Sequence, residues 1–184
     1  GLSGTGKSYL SKFISENLPA IRIRSDIERQ RIFCYLLQIK KSFTGENQIK
    51  HKQNIPIDIS SPYDRKLTLW LFKEFIPSLV RSNLSCGLTT IVDATFLRKE
   101  ETACMINIAK NLSIDFQIIQ CECSEETAKY RINKRIYENN DPSEATFDIR
   151  QKQKSWLENL TRSEVENTIY YNEEVSPSEV LLQI

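Results

Sequence analysis

The sequence is short of histidine, of net charge and of long hydrophobic runs, and each shortage argues against a class of function. His51 is the only histidine, which argues against a multi-histidine metal site or a serine triad. The residues around His51 are polar, so we expect it on the surface. The 25 Lys and Arg nearly balance the 24 Asp and Glu, so no strong field attracts anionic membranes or nucleic acid, although a local basic groove for nucleic acid stays open. No apolar run approaches about 18 residues, so we expect no membrane span.

The remaining composition predicts one globular domain over 1–184, because 40% of the residues are apolar and 27% are charged. The five cysteines are odd in number and lack the spacing of metal ligands. We therefore expect reduced thiols, which favour a cytoplasmic location. The cysteines are Cys34, Cys86, Cys104, Cys121 and Cys123.

Residues 1–8 read Gly-Leu-Ser-Gly-Thr-Gly-Lys-Ser and match the phosphate-binding pattern Gly-x-x-x-x-Gly-Lys-[Ser/Thr]. The glycines let backbone N–H groups turn inward and form an anion-binding nest. Lys7 is expected between the β- and γ-phosphates of a nucleoside triphosphate, and Ser8 is expected to bind Mg²⁺ and begin a helix over 9–18. The alternative is a glycine turn followed by a solvated lysine. The predicted nucleotide ligands are Gly1, Ser3, Gly4, Thr5, Gly6, Lys7, Ser8 and Tyr9.

A phosphate loop normally follows a buried strand, yet this sequence begins at the first glycine of the motif. A parallel sheet without its central strand would leave backbone groups unpaired inside the protein. We therefore expect an N-terminally truncated domain, with at least one apolar strand before Gly1.

Strand patterns alternate with helix patterns along the rest of the chain, which indicates a parallel sheet covered on both faces. The prediction is an α/β three-layer sandwich, a P-loop nucleoside triphosphate hydrolase or kinase fold with a mainly parallel five-stranded sheet whose first strand is absent. The polar stretch 38–62 is expected to be a substrate-side loop. Strands are predicted at 20–24, 88–93, 114–121 and 180–184, and further helices at about 25–37, 63–82 with a kink at Pro77, 97–112, 124–137 and 144–160.

Two acids follow strands and are expected at the carboxyl edge of the sheet, beside the phosphate loop. Asp26 is the candidate base that accepts a proton from a substrate hydroxyl, or else it only stabilises the first turn of a helix capped by Ser25 and Glu28. Asp93 is the candidate acid that binds Mg²⁺ directly or through water. It would otherwise orient substrate or Lys7, or cap the next helix.

Arg131 and Arg135 lie four residues apart, so they share one helix face next to a polar hinge at 138–143. This arrangement resembles a lid over 124–160, whose guanidinium groups would bind phosphoryl charge and exclude water on closing. The alternative is a solvated basic face on an exposed helix.

Four segments carry a family resemblance: the motif at 1–8, Arg-Ser-Asp-Ile-Glu-Arg at 24–29, Ile-Val-Asp-Ala-Thr-Phe-Leu-Arg at 91–98, and Asp-Pro-Ser-Glu-Ala-Thr at 141–146 followed by Gln153. They resemble the AAA-type P-loop kinase-like family that includes relatives of polynucleotide kinase, zeta toxin and gluconate kinase. The resemblance is strongest to the ATP-binding domain that follows an aminoglycoside phosphotransferase-like domain in bacterial proteins.

The resemblance implies ATP and Mg²⁺ as cofactors, Lys7 and Ser8 as nucleotide ligands, Asp26 as base, and Arg131 and Arg135 as lid arginines. Two positions depart from the family pattern: Ser25 replaces the first of two adjacent acids in phage polynucleotide kinase, and Tyr9 replaces a small hydroxyl residue.

The sequence therefore predicts an ATP-dependent kinase that phosphorylates a hydroxyl of a small molecule. The first alternative is an ATP-binding or ATP-hydrolysing regulatory module that signals to a fused N-terminal domain. The second is a polynucleotide 5′-hydroxyl kinase, which would need a basic and aromatic groove.

Overall fold

The computed structural model describes residues 1–42, 59–138, 143 and 145–184. In this part of the chain, helices alternate with parallel strands, as the sequence patterns predict. In chain order the elements are α1 (Lys7–Asn17), β1 (Ala20–Arg24), α2 (Ser25–Ser42), α3 (Arg65–Trp70), a π-helical turn (Leu71–Phe75), α4 (Ile76–Ser85), β2 (Thr89–Asp93), α5 (Lys99–Asn111), β3 (Ile118–Cys121), α6 (Glu125–Glu138), α7 (Phe147–Trp156), α8 (Arg162–Val165), β4 (Thr168–Tyr171) and α9 (Pro177–Leu181).

The four described strands form two parallel pairs. β1 pairs with β2, so that Arg24 lies opposite Asp93, and β3 pairs with β4, so that Cys121 lies opposite Tyr171. The loops that leave the carboxyl ends of parallel strands share one edge of a sheet, which is where ligands bind in such folds. The strand order therefore brings the residues after β1 and β2 together, as expected for Asp26 and Asp93.

A cavity of about 650 Å³ separates the two strand pairs. Its walls include all of β2, the run 114–121 that contains β3, and apolar side chains of α1 and α5, and Gly1 lies at its edge. The predicted five-stranded sheet has one strand more than the four that the structure describes. That strand stays a prediction.

Two apolar clusters hold the helices against the strands. One joins β1 to the helices between 25 and 85 through fully buried side chains such as Leu67, Leu71 and Ile76. The other packs Leu10 and Ile14 of α1 against β3, β4 and α9. Leu10 and Ile14 are four residues apart, so both face inward from one side of α1. This packing fixes the helix that follows the phosphate loop.

Residues 65–85 are helical, and the predicted kink is a π-helical turn at Leu71–Phe75, just before Pro77. Pro77 has no N–H to donate to the carbonyl four residues earlier, and its ring crowds that carbonyl. The wider π turn relieves this conflict without ending the helical stretch. The rings of Trp70 and Phe75 stack across the turn, with centroids 5.3 Å apart.

The predicted last strand at 180–184 is wrong, because this region forms α9 and a turn. A capping box starts α9: the Ser176 hydroxyl accepts from the Glu179 amide, and the Glu179 carboxylate accepts from the Ser176 amide. The last strand is instead β4, whose Thr-Ile-Tyr-Tyr sequence is rich in strand-forming side chains. Val180 is fully buried because one face of α9 packs on the core.

Within the predicted substrate-side loop at 38–62, residues 38–42 belong to α2. Residues 43–58, with His51, lie outside the described residues. Ile59 is buried in the first apolar cluster. A search of the described helices finds none with the length and hydropathy needed to cross a membrane.

Candidate functional site

The loop before α1 has the backbone conformation that the phosphate-binding motif predicts. Gly4 and Gly6 have φ values of 84° and 95°, in the left-handed region that favours glycine, and Gly6 is the N-cap of α1. In the described part of the chain, the amides of Gly4, Gly6, Lys7 and Ser8 donate to no acceptor. The loop and the start of α1 therefore present free donors to an anion.

Lys7 is at the centre of the site. Its ammonium donates to the carbonyl of Leu2 at 2.7 Å. Burial lowers the pKa of Lys7, while the charges of Asp93 and Asp26 raise it and that of Arg135 lowers it further. One ammonium group therefore interacts with residues of the loop, of α6, and of the segments at the ends of β1 and β2.

Close packing explains two of the loop glycines. A Cβ placed on Gly1 would lie 2.2 Å from the carbonyl oxygen of Cys121. A Cβ on Gly4 would lie 3.1 Å from the carbonyl oxygen of Ala128 and 3.2 Å from Cγ1 of Ile132. The loop thus rests directly on β3 and on the first turns of α6.

Asp26 lies in the first turn of α2, immediately after β1. Its carboxylate accepts from Arg29 at 3.0 Å, and the Arg29 guanidinium lies 5.1 Å from the ring centroid of Tyr63. Glu28, the expected partner of a capping box, is ion-paired with Arg31. The charge of Asp26 raises the pKa of Lys7, while the role of Asp26 as base stays a prediction.

Asp93 ends β2 and is almost completely buried. Its Oδ2 atom accepts from the Ser11 hydroxyl at 3.0 Å and from Arg22 at 2.7 Å, and Arg24 Nε lies 3.6 Å away. Arg22 also donates to the carbonyl of Ser8 at 2.8 Å. Asp93 therefore ties α1 to β1, and the sequence did not predict this ion pair.

The predicted metal ligands Ser8 and Asp93 lie on neighbouring elements, α1 and β2. The residues that the structure describes contain no group of three or more His, Cys, Asp or Glu that could hold a metal ion. Mg²⁺ at nucleotide sites usually takes only one or two protein ligands, with waters and phosphates as the rest. A hydroxyl at the loop and one carboxylate fit that requirement.

The two predicted lid arginines have different neighbours. Arg131 donates to the carbonyl of Gly4 at 3.4 Å and is exposed. Arg135 donates to the carbonyl of Ala145 at 2.5 Å, and its buried Nε finds no acceptor among the described residues. Arg131 therefore contacts the loop directly. Arg135 affects the loop through its charge, which lowers the pKa of Lys7.

Tyr9 is exposed, and Tyr171 lies nearby at the end of β4. Burial raises the pKa of Tyr171, and Tyr9 adds to this effect. A Cβ on Gly6 would lie 3.5 Å from Cε1 of Tyr171. Sequence reasoning missed Tyr171, because it assigned the last strand to a different segment.

Sequence reasoning also missed the contacts that α7 makes with the loop. Gln153 accepts from the amide of Ser3 at 2.9 Å, and Arg150 donates to the carbonyl of Ser3 at 2.6 Å. Ser3 was a predicted nucleotide ligand, but its amide is bound to Gln153, which leaves the hydroxyl for any ligand. The available signal was the spacing of Arg150 and Gln153, which places two polar residues on one helix face.

Glu125 connects α6 to α7. Its Oε1 atom accepts from Arg150 Nη2 at 2.8 Å and lies 2.9 Å from Lys154 Nζ, and its Oε2 atom accepts from Gln151 at 3.0 Å. These contacts, led by the hydrogen bond from Arg150, lower the pKa of Glu125 from its usual 4.5 to about 2. An ionised carboxylate thus stabilises the packing of the two helices.

These features define a P-loop kinase-like domain. The chain belongs to the AAA domain family, whose model matches residues 1–160. No curated protein matches the chain.

Three solved structures share the fold over 100% of this chain. The Mycobacterium tuberculosis APS kinase in complex with AMPPNP and APS is 15% identical, with a TM-score of 0.57 and 90% of that chain covered. A sugar kinase from Janibacter sp., unliganded, is 14% identical, with a TM-score of 0.60 and 87% covered. A gluconokinase from Sinorhizobium meliloti is 16% identical, with a TM-score of 0.54 and 85% covered. At these identities the likeness establishes the α/β P-loop fold.

Glu125→Gln should lower the free energy of unfolding by about 1 kcal/mol at pH 7, a value reduced for solvent screening because the carboxylate is partly exposed. A lowered pKa stabilises the fold above the unfolded pKa of about 4.5, and this contribution is lost as the pH falls through about 2. Urea titrations of both proteins at about pH 7 and pH 3 should show a smaller difference at pH 3. A difference that does not change with pH would contradict this assignment.

Gly4→Ala should destabilise the protein more than Gly87→Ala, by at least about 1 kcal/mol in free energy of unfolding. Both glycines have positive φ, so both substitutions carry the left-handed cost. Only Gly4 has backbone and side-chain atoms of α6 against its Cβ position, whereas nothing lies within 4 Å at Gly87. Urea unfolding measures both losses, and equal losses would show that the loop does not rest on α6.

Proposed function

We propose that this domain binds ATP with Mg²⁺ and transfers the γ-phosphoryl group to a hydroxyl of a small molecule. The observation that carries the proposal is the partly buried ammonium of Lys7, which donates to the Leu2 carbonyl of the loop. It lies beside free loop amides, with Asp26, Asp93 and Arg135 close enough to change its pKa. Phosphoryl transfer needs such positioned charge more than it needs covalent chemistry.

The loop amides and Lys7 would hold the phosphates. The Lys7 ammonium donates to the Leu2 carbonyl, and phosphate oxygens would replace this neutral partner with charge-assisted hydrogen bonds. Arg131, which borders Gly4, would bind phosphate oxygens from the side of α6. We propose that Arg135 joins it and that 124–160 acts as a lid.

Ser8 and Asp93 would hold Mg²⁺, which when bound neutralises phosphate charge. Asp26 would accept the proton of the acceptor hydroxyl. It follows β1, its charge raises the pKa of Lys7, and it pairs with Arg29 rather than with the arginines that bind Asp93. Release of Asp26 from Arg29 would free its carboxylate for that step. Residues 38–62 remain our proposed substrate-side segment.

The names of the structural neighbours agree with this proposal. One is an APS kinase with AMPPNP and APS, one is a sugar kinase and one is a gluconokinase. The five cysteines are free, which fits a reducing compartment such as the cytoplasm. The cavity between the strand pairs fits the extra strand that we propose before Gly1, and a fused N-terminal domain would precede that strand.

A panel of hydroxyl compounds incubated with full-length protein and γ-labelled Mg·ATP tests the proposal. Label on an acceptor supports a kinase. ATP hydrolysis with no labelled acceptor, together with an ATP effect on a fused domain, would favour the regulatory module instead. Label on an oligonucleotide 5′-hydroxyl alone would favour the polynucleotide kinase.

Asp26→Asn should lower phosphoryl transfer by at least about 100-fold while the Kd for ATP stays within about twofold, because the base acts only in the chemical step. Asp148→Asn is the matched control, since Asp148 is also an acid in the first turn of a helix but is exposed on α7. Initial rates and calorimetric ATP titrations measure both effects. If Asp26→Asn lowers stability and leaves turnover intact, Asp26 is only a helix-stabilising residue.

A further inference from the structure

We propose that Gln153 and Arg150 are positioning residues that hold the phosphate loop in its nucleotide-binding conformation through both backbone groups of Ser3. The inference rests on the phosphate-binding part of the proposed function and is independent of phosphoryl transfer. It assigns to α7 a role in nucleotide affinity.

The geometry is a two-point clamp on one residue. The amide of Ser3 donates to Gln153 Oε1 at 2.9 Å, and the carbonyl of Ser3 accepts from Arg150 Nη1 at 2.6 Å. Both contacts are buried, with Arg150 only 2% and Gln153 9% exposed. They join residues that are 147 and 150 positions apart in the chain, so they are tertiary contacts.

Arg150 is itself held in place. Its Nε and Nη2 atoms donate to Oε1 of Glu125 on α6, at 3.3 Å and 2.8 Å, which leaves Nη1 for the loop. The first turns of α6 support the other side of the loop, because Ala128 and Ile132 contact the Cβ position of Gly4. The loop is therefore held between two helices that Glu125 connects.

A loop with several glycines has many conformations, and only some of them direct its amides inward. When the binding conformation is populated for a fraction f of the time, the apparent Kd is the intrinsic Kd divided by f. Fixing Ser3 raises f before nucleotide arrives. The clamp leaves the amides of Gly4, Gly6 and Lys7 free, so it orders the loop without using the donors that the phosphates need.

The test compares calorimetric titrations of Mg·ATP into four folded proteins. Gln153→Met keeps the side-chain length but removes the acceptor, and we expect the Kd to rise about tenfold, as for a loop that is ordered a tenth of the time. Two variants are controls. Gln151→Met replaces a residue of the same helix that contacts Glu125 but not the loop, and Ile32→Val truncates a distant core side chain. Both controls should bind within about twofold of wild type.

Thermal unfolding of the same proteins separates positioning from stability. The proposal is overturned if Gln153→Met unfolds at a lower temperature yet binds Mg·ATP like wild type. It is also overturned if Ile32→Val, with a similar loss of stability, binds Mg·ATP about tenfold more weakly. If wild type and the controls bind but no acceptor is ever phosphorylated, the kinase proposal fails while this inference stands.

Amide hydrogen exchange of wild-type protein gives a test that needs no variant. The Ser3 amide should be protected both without and with Mg·ATP, because Gln153 already accepts from it. The amides of Gly6 and Lys7 should gain protection only when Mg·ATP is added. Rapid exchange of the Ser3 amide in the nucleotide-free protein would refute the clamp, even if Gln153→Met failed to fold.

Discussion

The confinement of one ammonium group, that of Lys7, is the constraint on which the rest of the site depends. Burial disfavours this charge and lowers the pKa of Lys7, and the nearby carboxylates of Asp93 and Asp26 offset part of that cost. Asp93 is fixed in turn by Ser11 and Arg22. The Arg22 to Asp93 ion pair between β1 and β2 therefore holds the carboxylate that stabilises the Lys7 ammonium. In this way the strand register affects the group that would bind the phosphates.

The loop is glycine-rich, and its surroundings contact it through both backbone and side-chain atoms. A Cβ would be forbidden at Gly1 by the backbone of β3 and crowded at Gly4 by α6, while Ser3 is bound by side chains of α7. Residues from three elements, β3, α6 and α7, thus contact Gly1, Ser3 and Gly4 of the loop. The amides of Gly4, Gly6, Lys7 and Ser8 donate to no acceptor in the described part of the chain, and Arg131 borders Gly4.

Short sequence patterns predicted the features that depend on neighbouring residues in the chain. The motif at 1–8 specified positive φ at Gly4 and Gly6, and strand ends specified that Asp26 and Asp93 lie near Lys7. The strand assigned to 180–184 was wrong because an apolar run resembles both a strand and a short buried helix, and the capping box at Ser176 and Glu179 decides between them. The Arg22 to Asp93 pair joins residues far apart in the chain, so no spacing rule could indicate it. The spacing of Arg150 and Gln153 indicated a shared helix face but not that this face meets the loop.

Calorimetric titration of Mg·ATP into wild type, Lys7→Met and Lys12→Met tests the central claim most directly. Lys12 lies on the same helix but is exposed and pairs with Glu16. The account predicts that wild type and Lys12→Met bind alike, and that Lys7→Met binds about 10- to 100-fold more weakly, because a charged hydrogen bond to phosphate is lost. Equal binding by Lys7→Met, or no binding by wild type, would contradict it.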